Sequence, residues 1–424
     1  MELLRKAENL TEAYALLDPN CPLDNERWMR FYARRPEEAS LTHLRDALQI
    51  DPSDDDKTLF TGHRGSGKTT ELAQLELALR DTHTVVRFNV ESLLNLGDVD
   101  YADLLVVLGL QVFQAARRSG VRLDKNKLHD LLFWYTTRVF EKDERRKLES
   151  EAGGEVDAIL AKFSVKFTTD APRRETIRSE ARANLSDLLE RLNSLLEAFR
   201  DKSGRRTMVI VDGLDKMYDL KQVCDLFCQG ANALMEPRCR VVYSVPLSIY
   251  HTDDFQQVRM AFDRTFSLPN VKAEERDGTP CREGQAALME MLDNRLMPGL
   301  LAPEAVERLV ALCGGLPKEL IGLARETALR ARRVCGEGGP AEVEDVEQAA
   351  RQVRNTYRSA LTSEQYSELW RLYSGGPFVN SPVARSLLHN LSLLEYNGDG
   401  AWWSIHPIVR PLLEERADEF EDAA

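Results

Sequence analysis

The chain has 424 residues, of which 43% are hydrophobic and 29% are charged. Its 56 lysines and arginines face 69 aspartates and glutamates, which gives a net charge of −13. This length allows two to three domains with sizeable cores. The acidic balance excludes a protein whose main role is to coat nucleic acid non-specifically, and it disfavours anionic membrane surfaces as partners.

The sequence shows no membrane or export signal. No apolar run reaches the roughly 20 residues that a bilayer-crossing helix needs, and the segment Met1–Lys6 lacks the apolar core of a signal peptide. The seven cysteines are dispersed and odd in number, which favours reduced thiols. Cys224 and Cys228 are spaced as neighbours on one helix face, where a core position is a better reading than a metal site. We therefore expect a cytoplasmic protein with no membrane partner.

The first two thirds of the chain alternate strands with helices. Residues 1–56 are expected to be helical, and residues 120–200 are expected to be a long, highly charged helical stretch. Five apolar segments are expected to be strands: Lys57–Thr61, Thr84–Val90, Thr207–Asp212, Arg240–Val245 and Thr265–Leu268. Helices are expected from Lys68 to about Arg80 and over residues 101–118. Strands that alternate with helices predict a parallel sheet covered on both faces.

After Pro269 the pattern becomes helical. Residues 283–335 contain no strand candidate, and residues 336–340 form a weak linker. The last segment is expected to contain three helices, a hairpin formed by Leu391–Glu395 and Ala401–Ile405, and a final helix over about Pro407–Glu415. Three helices followed by a small hairpin is the outline of a winged helix.

The strongest motif lies between the first strand and its helix, where Gly62–Thr69 matches G-x-x-x-x-G-K-[ST] in full. In such a loop the backbone amides and the helix N-terminus bind phosphates, the lysine reaches the β- and γ-phosphates, and the Thr hydroxyl binds Mg²⁺. An incidental glycine-rich turn is the alternative. We therefore expect ATP or ADP and Mg²⁺ as cofactors. The expected nucleotide-binding residues are Gly62, His63, Arg64, Gly65, Ser66, Gly67, Lys68, Thr69 and Thr70, with Lys68 also catalytic and Thr69 also a metal ligand.

A second acidic motif follows the third strand. Asp212 ends the apolar run that begins at Met208, which is where P-loop proteins place the carboxylate that holds Mg²⁺. Asp215 is a candidate to orient or deprotonate the attacking water. The alternatives are a turn residue for Asp212 and a loop acid or helix N-cap for Asp215.

Together these motifs resemble the STAND class of signalling NTPases, which includes NACHT and NB-ARC proteins and is related to AAA+ and Orc/Cdc6 ATPases. An AAA+ motor usually has Glu directly after the first acid, whereas this chain has Gly213 there and its second acid at Asp215. The resemblance therefore implies a slow switch rather than a fast motor.

The resemblance also suggests residues that sense the nucleotide. Ser244, in the next strand, would contact the γ-phosphate, with a small polar residue in a packed strand as the alternative. Arg264, with Arg259 as its rival, would reach the nucleotide of a neighbouring subunit, where an Arg completes charge neutralisation. For both arginines the alternative is a solvated surface residue.

A lid and a latch are also implied. The segment Gly314-Gly315-Leu316-Pro317 resembles the G-L-P motif of STAND lids, in which the Pro packs on adenine and the next helix meets the phosphates. Lys318 stands where AAA+ relatives carry a second sensor, usually Arg. His406 would contact the bound diphosphate and latch the closed state. The alternatives are a plain helix start for Pro317 and a packed helix-entry residue for His406.

These readings predict an α/β fold, in which a P-loop parallel sheet core with a helical insertion precedes a helical lid and a C-terminal winged helix. The expected divisions are an N-terminal helical segment at 1–56, the core at 57–275 with its insertion at about 120–200, the lid at 276–338 and the winged helix at 339–424.

The expected function is an ATP-binding, slowly hydrolysing switch that controls a separate effector protein and forms homo- or hetero-oligomers. An effector encoded separately is expected because residues 1–56 are too few for an effector domain, and the family suggests anti-phage defence in bacteria. The alternative is an Orc/Cdc6-like or transposition-regulator ATPase that assembles on DNA. DNA is the less expected partner, because the best recognition segment carries only Arg385 and His389 as cations. A P-loop kinase or transferase is a third possibility, which the winged helix and the G-L-P lid oppose.

Overall fold

The computed structural model describes residues 5–26, 28–37, 40–121, 171–397 and 400–421. The chain divides into two compact units. The sheet unit comprises residues 44–61 and 76–266, and the helical unit comprises residues 1–43, 62–75 and 267–424.

The sheet unit is built on a five-stranded sheet in the order β2-β3-β4-β1-β5. The pairings of β2 with β3, β3 with β4 and β4 with β1 are parallel. Strand β5 is also parallel to β1. Two contacts indicate this direction: the Lys57 amide donates to the Asp263 side chain at 2.7 Å, and three residues further along both strands the rings of Phe60 and Phe266 stack 6.0 Å apart. The strands are β1 (Lys57–Thr61), β2 (His83–Asn89), β3 (Arg206–Asp212), β4 (Arg240–Ser244) and β5 (Arg264–Ser267).

The central strands of the sheet are buried on both faces. Every residue of β1 and β4 is buried, as are all but the first residue of β3, as expected for central strands of a parallel sheet. The carboxyl ends of β1, β3 and β4 meet at one edge. The chain leaves this edge at Thr61 and continues directly into the glycine-rich loop. The predicted α/β class with a parallel sheet core is confirmed.

Helices of the sheet unit pack around this sheet. In α4, twelve of the 18 residues are buried, and a capping box of Asp100 and Asp103 begins the helix. Of the predicted insertion at about 120–200, residues 122–170 lie outside the described residues, and residues 171–203 are helical. The helices are α2 (Thr42–Ile50), α3 (Lys68–Leu79), α4 (Tyr101–Arg118), α5 (Ala171–Ala183), α6 (Leu185–Ser203), α7 (Leu220–Cys224), α8 (Ala231–Met235) and α9 (Phe255–Ala261), of which α2 and α3 begin in the helical unit.

Arginines hold the opposite, amino edge of the sheet. Arg240 is fully buried, and its guanidinium donates to the carbonyls of Asp51 and Ser53 at 2.6 and 2.9 Å and pairs with Asp56 at 2.8 Å. Arg206 pairs with Asp54 at 3.0 Å. The carboxylates and carbonyls of the stretch 51–56 therefore bind these arginines, and these bonds hold the start of β1 in place.

The helical unit contains two packed groups of helices. Helices α1 and α10–α13 enclose one apolar core, and helices α14–α16 with the hairpin enclose another. The helices are α1 (Leu10–Leu16), α10 (Arg282–Asp293), α11 (Pro303–Leu312), α12 (Pro317–Cys335), α13 (Val343–Ala360), α14 (Ser363–Tyr373), α15 (Pro382–His389), α16 (Arg410–Glu414) and α17 (Ala417–Glu421).

The segment 1–56, which was expected to be helical, forms short helices separated by irregular chain. Within the described part of this segment, α-helices form only over Leu10–Leu16 and Thr42–Ile50, with a 3₁₀ turn at Trp28–Phe31 between them. The reason is local: Pro19, Pro22 and Pro36 interrupt the intervening stretch, and a proline inside a helix removes a hydrogen bond and clashes with the preceding turn.

The C-terminal segment follows the predicted order of helices and hairpin. Helices α13, α14 and α15 precede the antiparallel strands β6 (Leu393–Tyr396) and β7 (Trp402–Ile405), which is the element order of a winged helix. The hairpin turn at 398–399 lies outside the described residues. Among the helices that the structure describes, none is long and apolar enough to span a bilayer.

Candidate functional site

The glycine-rich loop has the backbone geometry that a phosphate cradle requires. Gly65 and Gly67 have φ values of +84° and +93°, a region that residues with a side chain rarely adopt. Lys68 begins α3 and is 4% exposed, and its ammonium donates to the carbonyls of Gly62 and His63 at 2.9 and 2.8 Å. The lysine is thus held within the loop, where a phosphate could replace these neutral acceptors. Ser66 is also buried, Thr69 and Thr70 are half-buried, and Arg64 is exposed.

The start of helix α12 packs against this loop. The Lys318 amide donates to the Gly65 carbonyl at 3.2 Å, and a Cβ built on Gly65 would lie 3.0 Å from the Lys318 Cβ. A Cβ on Gly67 would lie 3.8 Å from the Pro317 ring. Glycine at position 65 is therefore required both by its backbone conformation and by the close approach of α12. The predicted contact of Pro317 with adenine stays a prediction.

The C-terminal hairpin is also bonded to the loop. The Glu395 amide donates to Nε2 of His63 at 2.7 Å, and the Tyr396 hydroxyl donates to the Gly314 carbonyl at 2.9 Å. Asn270 adds a bond from its side-chain amide to the Glu395 carbonyl at 3.2 Å. Strand β6 is thereby attached both to the phosphate loop and to the glycine turn before α12.

His406 lies beside the same glycine turn. It is fully buried, and its Nε2 is 3.3 Å from the place that a Cβ on Gly314 would occupy. Its Nδ1 accepts a hydrogen bond from the Ile408 amide at 3.2 Å, which assigns the proton of the neutral ring to Nε2. Within the described residues, this buried Nε2–H has no acceptor. Burial, with a smaller effect of Arg410 and His63, lowers the His406 pKa to about 3.

Arg35 is a residue of this site that sequence reasoning missed. It is 3% exposed, and its guanidinium donates to the carbonyls of Ser66 at 2.6 Å and Pro269 at 2.5 Å. Nearby, the Tyr32 hydroxyl donates to Glu71 in α3 at 3.1 Å. No motif or periodicity marks Arg35, because it lies in irregular chain beside a second arginine.

In the sheet unit, Asp212 ends β3 and is 1% exposed, and its Oδ1 accepts a hydrogen bond from the Gly213 amide at 2.8 Å. Gly213 has a φ of +93°, and a Cβ there would lie 2.5 Å from the Asn89 side-chain oxygen. The positive φ and the Asn89 oxygen both oppose a side chain here, at the position where a motor usually carries Glu. The next acid, Asp215, is half-buried in a short 3₁₀ turn over Leu214–Lys216.

Ser244 ends β4 and is fully buried. Its hydroxyl accepts a hydrogen bond from the Leu214 amide at 3.1 Å, so it braces the turn that follows Asp212. The hydroxyl keeps its own proton to donate, and its predicted contact with a γ-phosphate stays a prediction.

Arg264 lies at the amino edge of the sheet, at the other end of β1 from the phosphate loop. Its guanidinium pairs with Asp51 and lies 3.8 Å from Asp56. To act on a neighbouring subunit, as the resemblance implies, Arg264 would have to leave these carboxylates. Arg259, its rival, is exposed on α9.

No protein-family model matches the chain, and no curated protein matches it. Among solved structures, the chain is similar to Cdc6p of Pyrobaculum aerophilum, with 12% identity, a TM-score of 0.41 and coverage of 96% of this chain and 98% of that one. It is also similar to a Walker-type ATPase of Pyrococcus abyssi (16% identity, TM-score 0.45, coverage of 94% and 99%). A third is the Orc1 protein of Aeropyrum pernix, solved in complex with DNA (15% identity, TM-score 0.43, coverage of 98% and 98%). At these identities and TM-scores, the likenesses decide neither the activity nor the partners of this chain.

Gly213→Ala tests the close packing after Asp212. We expect it to cost at least about 2 kcal/mol in the free energy of unfolding, because positive φ and the Asn89 contact both oppose a side chain. Gly204→Ala is the matched control: Gly204 has a φ of +66° but nothing within 4 Å of its Cβ position, so we expect about 1 kcal/mol. Urea unfolding followed by circular dichroism measures both. Equal losses would contradict the role of Asn89.

Acidification tests the burial of His406. Its folded pKa of about 3 lies below the ordinary 6.5, so below pH 6.5 the unfolded chain takes up a proton that the folded chain refuses. This histidine should therefore reduce the free energy of unfolding by about 2 kcal/mol between pH 7.5 and pH 5. Urea unfolding over this range should show a shallower pH dependence for His406→Gln, while other histidines contribute equally to both proteins. Identical pH dependences would contradict a neutral, buried His406.

Proposed function

We propose that the protein binds ATP or ADP at Gly62–Thr70, hydrolyses ATP slowly and uses the bound nucleotide as a switch. The observation that carries the proposal is the phosphate loop itself. Its glycines have positive φ, its lysine is buried within it, and both the lid helix α12 and the hairpin are hydrogen-bonded to it. A ligand that shifts this loop would therefore alter its hydrogen bonds to both α12 and the hairpin.

The donor set suits a magnesium nucleotide. The Lys68 ammonium and the backbone amides of the loop would bind the β- and γ-phosphates. The Thr69 hydroxyl and the Asp212 carboxylate offer the oxygen ligands that Mg²⁺ prefers, and a bound Mg²⁺ would neutralise phosphate charge. Asp215 would orient the attacking water. Ser244 would sense the γ-phosphate.

Two histidines support a state in which bound ADP keeps the hairpin and α12 on the phosphate loop. His406 has a buried Nε2–H that lacks an acceptor among the described residues, and a phosphate oxygen would satisfy it. His63, inside the phosphate loop, already accepts a hydrogen bond from Glu395 of the hairpin. In this proposal ADP holds the hairpin and α12, with Pro317 and Lys318, on the loop. Exchange for ATP, or a trigger that binds the open state more tightly, releases them.

Slow hydrolysis follows from Gly213, because the acid that a motor would carry there is missing. Arg264, or Arg259, would complete the site of a neighbouring subunit, so that turnover depends on assembly. The protein would then form homo- or hetero-oligomers and activate a separate effector. A role in bacterial anti-phage defence rests on the STAND resemblance alone.

Nucleotide extraction from the purified protein tests this function. We expect wild type to carry tightly held ADP, and Lys68→Ala to carry none because the loop loses its one buried ammonium. Lys202→Ala, which removes an exposed lysine from α6, should retain ADP and serves as the matched control. Chromatography of the acid-released nucleotide measures all three. Nucleotide-free wild type with brisk ATP turnover would favour a motor or a transferase.

A DNA-assembling ATPase of Orc/Cdc6 type is the second candidate, favoured by the winged-helix order of α13–α15 and the hairpin. The charge of its best recognition helix opposes it. Helix α15 offers only Arg385 and His389 as cations, and burial lowers the His389 pKa from its ordinary value.

Fluorescence anisotropy with a labelled duplex decides between the two candidates. Under the switch proposal we expect no binding at physiological salt, because an acidic chain repels phosphates. Salt-sensitive binding that Arg385→Glu abolishes would establish the DNA-assembling alternative. Glu364→Arg, a charge change of equal size and opposite sign on the exposed part of α14, serves as the control.

A further inference from the structure

We propose that Arg35 is a positioning residue of the phosphate loop, which aims the Gly67 amide at the phosphates by holding the Ser66 carbonyl. This inference rests on the proposed nucleotide binding and adds a residue from the N-terminal segment to that site.

The Arg35 guanidinium is a buried charge with unusual hydrogen-bond partners. Arg35 is 3% exposed, yet both of its hydrogen bonds go to neutral carbonyls, at 2.6 Å to Ser66 and 2.5 Å to Pro269. Glu71 attracts the guanidinium electrostatically but forms its hydrogen bond with Tyr32. Burying a charge is costly unless its bonds are well placed. Here the hydrogen bonds of the buried guanidinium go to one backbone carbonyl of the phosphate loop and to the carbonyl of Pro269.

The planar peptide unit between Ser66 and Gly67 links the carbonyl of one residue to the amide of the next. In a trans peptide the carbonyl oxygen and the following amide hydrogen point in opposite directions, and no described peptide bond is cis. By fixing the Ser66 oxygen, Arg35 also fixes the Gly67 N–H on the opposite side of the same plane. A charged donor on the oxygen further polarises the amide and strengthens its N–H as a donor.

The Gly67 amide differs from its neighbour in the loop by having no acceptor within the described residues. The neighbouring Ser66 amide is used inside the loop, where it donates to the His63 carbonyl at 3.1 Å. The Gly67 amide donates to no group among the described residues. An oriented backbone N–H without an acceptor, at the entrance of a helix, is an anion-binding group.

The two contacts made by residue 35 require an arginine. The two carbonyls belong to different segments, the phosphate loop and the stretch that follows β5. The planar guanidinium reaches both with separate nitrogens, Nη1 for Ser66 and Nη2 for Pro269. A lysine presents one point charge and lacks this fixed fork. Arg35 therefore orients the peptide and also anchors the loop.

Binding of ADP and AMP, measured by titration calorimetry with Mg²⁺, tests the proposal. Arg35→Met keeps the apolar stem and removes the donors, while Arg34→Met, an exposed neighbour, is the matched control. The loop amides and Lys68 serve the phosphates beyond the first. We therefore expect Arg35→Met to weaken ADP about tenfold or more, and AMP less than about twofold. Arg35→Lys should show an intermediate loss for ADP, and Arg34→Met none.

The outcomes are distinguishable from failure of the proposed function. If wild type binds no ADP, the nucleotide-binding proposal itself fails. If wild type binds ADP and Arg35→Met binds it equally well, only the role of Arg35 is wrong. Equal losses for ADP and AMP would mean that Arg35 is a packing residue and would overturn the inference. Should Arg35→Met not fold, as judged by circular dichroism, the ratio of ADP to AMP affinity in Arg35→Lys decides: an unchanged ratio overturns the proposal.

Discussion

The conformation of the phosphate loop depends on hydrogen bonds that hold its backbone carbonyls in fixed positions. Arg35 holds the Ser66 carbonyl, the Lys318 amide holds the Gly65 carbonyl, and the Lys68 ammonium holds those of Gly62 and His63. The bonds from Arg35 and Lys318 direct the amides of Gly67 and Ser66, which belong to the same peptide units, the other way. These contacts come from three separate parts of the sequence, and together they fix the conformation of a glycine-rich segment.

Three separate segments of the helical unit contact the phosphate loop. The hairpin reaches it through His63, helix α12 packs on Gly65, and the N-terminal segment supplies Arg35. A ligand that changes the loop would therefore disturb all three segments at once. In the proposed switch, a phosphate would compete with the Gly62 and His63 carbonyls for the Lys68 ammonium, while Arg35 would stay on the Ser66 carbonyl.

Sequence alone predicted the elements that have strong periodic signals. The strands predicted at 57–61, 207–212 and 240–245 are observed at 57–61, 206–212 and 240–244, because short apolar runs between turn residues and helices are typical of buried strands in a parallel sheet. The phosphate loop was predicted from its spacing. Arg35 was not, because a buried arginine bonded to carbonyls far away in the sequence leaves no local pattern. For the same reason the partner of Ser244, an amide 30 residues away, could not be foreseen. In residues 1–56, the leucine spacing correctly indicated the helix at Thr42–Ile50, whereas the prolines before it explain the irregular chain that the prediction did not separate.

The tight turn after Asp212 constrains how this chain could evolve. Asn89 fills the space beside Gly213, and its side-chain oxygen also caps the next turn by accepting from the Glu91 amide at 2.9 Å. A single replacement of the glycine by an acid would meet that oxygen, and removing Asn89 first would leave the cap unmade. Placing an acid directly after Asp212 would thus need coordinated changes at two positions, 89 and 213, at the ends of two neighbouring strands.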